Sequence, residues 1–64
     1  MLESYLKKHR TSNNLTQAQM AAKLKTSQSY YCELEKGRKK PGFTMVNRIA
    51  KLLKVEPSFI RSLL

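Results

Sequence analysis

Apolar side chains recur along this chain at the spacing of helices and nowhere at that of strands. In LESYLKKHR, Leu2, Tyr5, Leu6 and His9 fall at i, i+3, i+4 and i+7, one face of a helix. Lys7, Lys8 and Arg10 take its other sides. TSNN at 11–14 is a turn by composition. In the next stretch, LTQAQMAAKL, Thr16 stands where an N-cap is needed and Gln19, three residues on, completes a capping box. Leu15, Met20, Ala21 and Leu24 form the core face of this second helix, with Ala18 nearby, and the adjacent Ala21 and Ala22 predict a closely crossing neighbour. Lys25-Thr26-Ser27 stops it and supplies a new cap. Ser27 begins a third helix, Gln28 to Lys36, which Gly37 closes in the left-handed conformation.

The stretch GRKKPG is a basic loop, ended with the help of Pro41. A fourth helix spans Phe43 to Leu53 with Phe43, Val46, Ile49, Ala50 and Leu53 on one side. A short fifth follows Pro57, with Phe59, Ile60, Leu63 and Leu64 apolar. Val, Ile and Thr nowhere alternate over a strand's length. The expectation is an all-α domain of five short helices covering residues 1–64, without repeats or low-complexity segments.

Composition narrows the partners. A chain of 64 residues buries only about 60% of the surface its unfolded form exposes, enough for one small core. One cysteine and one histidine supply neither an internal disulfide nor the three or four ligands of a zinc site. No metal or cofactor is expected, and the lone cysteine fits a reducing compartment. The opening MLESYLKKHR lacks the apolar stretch of a signal peptide, and no run approaches a membrane span. The expected location is the cytoplasm. Thirteen Lys and Arg stand against four acidic residues, a formal charge of +9, which points to nucleic acid or an anionic surface. Capped helices separated by turns argue against a membrane-lying amphipathic peptide. His9 and Cys32 lie on different helices without a third member, and there is no glycine-rich phosphate loop, so catalysis is not expected.

Two short helices joined by about four residues in a basic domain have the shape of a helix-turn-helix, here at about 16–36. At about 100° per residue, with Gln28 at zero, Cys32, Lys36, Ser29 and Glu33 fall between about 0° and 140°. Tyr30, Leu34 and Tyr31 fall between about 200° and 300°, with Glu35 at the border. One face of the third helix is thus small and polar, the other aromatic and aliphatic. A helix that reads the major groove needs this division.

The run LTQAQMAAKLKTSQSYYCELEKGRKKPG resembles the helix-turn-helix of the XRE family, the Cro and phage-repressor-like regulators. The matching features are Thr16-Gln17, Met20-Ala21, Leu34, Glu35 and Gly37 at the end of the third helix, the basic loop with Pro41, the later IAKLL with Val55, and Arg10. The resemblance covers essentially the whole chain without gaps. It implies a lambda-repressor-like five-helix fold and double-stranded DNA as partner. Lys25 and Lys54 stand where the family usually has glycine. If the backbone is left-handed there, each lysine costs about 1 kcal/mol and adds a charge that can reach phosphate. His9 replaces a usually apolar residue. Tyr31 replaces a β-branched one and needs a partner for its hydroxyl or a route to the surface.

The two carboxylates of the third helix take different roles. The resemblance implies that Glu35 pairs with Arg10. Such a pair is either a bidentate device that docks the first helix on the third or a solvated contact of little worth. Glu33 faces the groove, where it either accepts from the amino group of cytosine or contacts Lys36 or Ser29 along its own helix. Gln28 suits adenine, Ser29 bonds to several bases, and Cys32 can pack on a thymine methyl. The family also places base contacts at Gln28, Ser29 and Glu33. Phosphate contacts are expected from Gln17 at the start of the second helix, from Arg38, Lys39 and Lys40, and more weakly from Lys36 and Tyr30.

One recognition helix reads about one half-site, and helix-turn-helix proteins commonly dimerise on near-palindromes. Phe59, Ile60, Leu63 and Leu64 either form a two-fold interface, by analogy with the family, or complete the chain's own core. The expected function is sequence-specific DNA binding by a transcriptional regulator, a repressor in the first instance. The alternative is an antitoxin-like or other protein-interaction module on the same fold.

Overall fold

The computed structural model describes all 64 residues. It contains five helices and no strand: α1 (Leu2–Ser12), α2 (Gln17–Lys23), α3 (Gln28–Glu35), α4 (Phe43–Leu53) and α5 (Pro57–Ser62). Local chemistry sets their starts. The Thr16 hydroxyl accepts from the Gln19 backbone N–H at 3.1 Å while the Gln19 side chain accepts from the Thr16 N–H at 2.8 Å, the predicted capping box. Ser27 accepts from the Tyr30 N–H at 3.1 Å, so the cap of α3 is also as predicted. Helix α5 begins on Pro57, whose fixed φ suits a first turn and whose missing N–H leaves no donor unpaired there.

Four of the helices end in one way. At Asn14, Lys25, Gly37 and Lys54 the backbone is left-handed, with φ of 54°, 56°, 74° and 59°. The N–H of the following residue then reaches back to the last turn: Leu15 to Arg10, Thr26 to Ala21, Arg38 to Glu33, and Val55 to Ala50, all at 2.9–3.0 Å. This is the Schellman closure, which satisfies carbonyls a helix end leaves open. Only one of the four uses glycine. At Gly37 a side chain would also meet Glu3, whose Cδ lies 3.3 Å from where a Cβ would stand.

The core draws on every helix. Leu2 and Leu6 of α1, Met20, Ala21 and Leu24 from α2 and its end, Tyr31 and Leu34 of α3, Met45, Val46, Ile49 and Ala50 of α4, and Ile60 of α5 form one buried cluster. Helix α3 packs against both α2 and α1, and α4 packs on α5. The predicted faces hold with local corrections. Helix α1 runs on through Thr11 and Ser12, with the Thr11 hydroxyl bonding back to the Lys7 carbonyl at 3.0 Å, and Asn13-Asn14 makes the turn. Phe43 is 75% exposed: it opens α4 at one edge of the core face, and Met45, on the opposite flank of that face, is buried. Ala18, Ala22 and Tyr5 are also exposed, while Ala21 is buried.

Candidate nucleic-acid interface

Helix α3 divides as its sequence predicts. Tyr31 and Leu34 are buried and Tyr30 is half-buried, whereas Gln28, Ser29 and Lys36 are exposed, with Cys32 and Glu33 between. Packing of the aromatic face onto α1 and α2 therefore turns Gln28 and Ser29 outward from the first turn of the helix. Neither side chain has a hydrogen-bond partner within the protein, and both are free to meet the edge of a base.

Glu35 anchors this helix. Arg10 donates from Nε to Glu35 Oε2 at 2.8 Å and from Nη2 to Oε1 at 2.9 Å, a bidentate pair whose side chains are only 17% and 5% exposed. Arg10 Nη1 also donates to the Leu15 carbonyl at 3.1 Å. The Tyr31 hydroxyl donates to Glu35 Oε2, which supplies the partner that this buried ring requires. Gln17 Nε2 donates to Oε1 at 3.3 Å. Burial works against the ionised carboxyl, but hydrogen bonds from Arg10, Tyr31 and Gln17, with the guanidinium charge, outweigh it and bring its pKa down to about 2. Burial, and then the neighbouring carboxylate, push the Tyr31 hydroxyl above its ordinary value, so it stays a neutral donor. The hydrogen bond to Glu35 raises Arg10 further. One carboxylate thus joins α1, α2 and α3.

The same network reaches the outward face. Gln17 Oε1 accepts from the Cys32 thiol at 3.3 Å, so the Gln17 amide sits between Glu35 and Cys32 and keeps one N–H unused. Cys32 correspondingly turns its sulfur toward α2. Glu33 contacts neither Lys36 nor Ser29. Its carboxylate lies 3.8 Å from Arg38, both groups being partly exposed, a contact of little energetic weight. Beyond the end of α3, the Lys39 ammonium stands 6.0 Å from the centre of the Tyr30 ring. Arg38, Lys39 and Lys40 are all exposed, held on a loop whose Pro41 is buried. The α3 face is thus small and polar and bordered by exposed cations.

The sequence model of a helix-turn-helix family matches residues 6–60. The chain belongs to the XRE-type helix-turn-helix family. No curated protein matches it, and no solved structure does. Membership makes this XRE-type domain a binder of double-stranded DNA in transcription regulation. No helix is long and apolar enough to cross a membrane.

Two features of the XRE-type domain depart from the expected site. Ile60 is fully buried in the domain's own core, which removes it from any two-fold contact. Leu63 is half-buried against that core. Phe59 and Leu64 remain 38% and 43% exposed, and Phe59 meets Tyr5 edge to face with ring centres 5.6 Å apart. The second feature is Arg48, which sequence reasoning passed over. Its Nη1 donates to the carbonyls of Leu24 and Lys25, each at 3.2 Å, clamping the turn between α2 and α3 onto α4. No local pattern marks such a long-range contact. The threefold spacing of Arg48, Lys51 and Lys54 signals a cationic stripe and not this contact.

Proposed function

We propose that this XRE-type domain, its 64 residues working as one unit, is a sequence-specific repressor. It acts in the cytoplasm as a homodimer and reads a near-palindromic operator through the major groove. Gln28, Ser29 and Glu33 read base edges, while Cys32 holds the Gln17 amide through its thiol. Arg38, Lys39 and Lys40 grip phosphates beside the groove, aided by Lys36, Tyr30 and the unused Gln17 N–H. Phe59, Leu63 and Leu64 contribute to the two-fold contact. The observation that supports this reading is the pairing of unpartnered polar side chains on the first turn of α3 with exposed cations beyond its last turn.

Selection from a random duplex library, followed by comparison of the wild type with Gln28→Ala, tests the reading. The expected result is enrichment of a near-palindrome and a loss of about 1–3 kcal/mol in preference for it over other sequences in the variant. Glu33→Gln should relax any cytosine preference at one position. Salt-sensitive binding to every duplex, without enrichment, would refute sequence reading. An unchanged preference in Gln28→Ala would remove that residue from the readers.

A further inference from the structure

A second concentration of charge lies away from the Arg38–Lys40 loop. Lys23 at the end of α2, Lys25 in the turn, and Arg48, Lys51, Leu52 and Lys54 of α4 and its end line one open cleft of about 530 Å³. Five of its six lining residues are cationic and none is acidic. Three of the chain's four carboxylates are engaged elsewhere: Glu3 with the amino terminus, Glu33 with Arg38, and Glu35 with Arg10. Glu56 does not line the cleft. Like charges three residues apart on one helix repel, so Arg48 and Lys51 weaken α4 unless an anion lies between them.

Two further observations give the cleft more than charge. The only two lysines in the left-handed region, Lys25 and Lys54, both line it. Glycine would relieve the strain at either place. Residues kept in strained conformations cluster where a protein uses them. Arg48 is also fixed in place, since Nη1 is tied to two carbonyls of the turn while its other guanidinium nitrogens donate to no protein group.

We propose that this cleft takes the DNA backbone flanking the half-site read by α3. The inference rests on the DNA-binding reading above. Lys25 lies three residues before Gln28, so the cleft adjoins the N-terminal end of α3 while Arg38, Lys39 and Lys40 stand beyond its C-terminal end. Eight residues of helix span about 12 Å, so the two groups of cations stand at opposite ends of the element that enters the groove. A duplex seated on α3 carries its phosphates on past Lys25 and into reach of Lys51 and Lys54.

The test uses Lys23→Gln/Lys51→Gln/Lys54→Gln, three exposed side chains that make no hydrogen bond, and leaves Arg48 intact. Its affinity is measured across salt on two duplexes: one trimmed to the selected site, the other extended by about a helical turn, roughly 10 base pairs, on each side. On the extended duplex the slope of log affinity against log salt should fall by about 0.9 for each phosphate that the variant no longer neutralises. On the trimmed duplex it should not change, and the sequence preference should be the wild type's on both. Equal losses on both duplexes, or none on either, would overturn the flanking-backbone assignment while leaving sequence reading in place. Failure of the wild type to bind any duplex would instead defeat the DNA-binding reading itself. Should the triple variant lose helicity, Lys51→Glu alone gives the same comparison, its expected loss again confined to the extended duplex.

Discussion

Replacing Glu35 by glutamine keeps the shape of the side chain and removes the charge on which three helices converge. The fall of its pKa from the ordinary 4.5 to about 2 corresponds to about 3 kcal/mol of stability, at about 1.4 kcal/mol per pH unit. Removing one partner of a buried pair leads to a similar figure, about 3–5 kcal/mol, which is appropriate because the carboxylate is only 5% exposed. A domain of this size has a total stability of roughly 3–10 kcal/mol, so Glu35→Gln should lower the melting temperature by roughly 10–25 °C at neutral pH. The pH dependence gives the sharper test. A depressed carboxylate stabilises in full above its unfolded value and loses that contribution as pH falls through its folded value. Urea unfolding followed by circular dichroism should therefore show wild type and variant far apart at pH 7. They should draw together from about pH 4.5 towards pH 2. A cost below about 1 kcal/mol would make the Arg10–Glu35 contact a solvated pair. A gap independent of pH would refute the assignment of that stability to the charge.

Three further outcomes follow from the fold. Lys25→Gly and Lys54→Gly should each raise stability by about 1 kcal/mol by relieving left-handed strain, read as a shift in the urea midpoint at constant slope. Arg48→Met keeps much of the side chain's bulk and leaves the Leu24 and Lys25 carbonyls without their donor. It should cost about 1–2 kcal/mol and speed amide hydrogen exchange in the α2–α3 turn. Phe43→Ser should change thermal stability by less than about 0.5 kcal/mol, because the ring is 75% exposed; a loss of several kcal/mol would place it in the core after all.

Helix boundaries were legible because their causes are local. Thr16 with Gln19, Ser27, Gly37 and Pro57 act within a few residues of themselves, and each stands where its residue type predicts. Burial within a helix was less legible at its ends: Phe43 keeps the periodicity of α4 but opens it at one edge of the core face, while Met45 lies off the assigned face and is buried. At the site, the outward placement of Gln28 and Ser29 followed from the angular division of α3. The partner of Glu35 came from resemblance to the family, and the sequence alone contains nothing that brings residues 10 and 35 together. Nor does it say that Gln17 turns inward to Glu35 and Cys32, or that Arg48 reaches a turn some twenty residues earlier. Long side chains choose among partners that only the assembled fold supplies.

The repeated closure of α1, α2, α3 and α4 bears on how the chain finds its structure. Each stop is encoded within about six residues, in hydrogen bonds that involve no other helix. Helix lengths are therefore settled locally, while segments of 6–11 residues become stable helices only as their apolar faces pack. Chains dominated by such near-neighbour contacts fold within microseconds to milliseconds. This domain should belong among them, with the arrival of Arg10 at Glu35 part of the docking that stabilises α1 and α3 together.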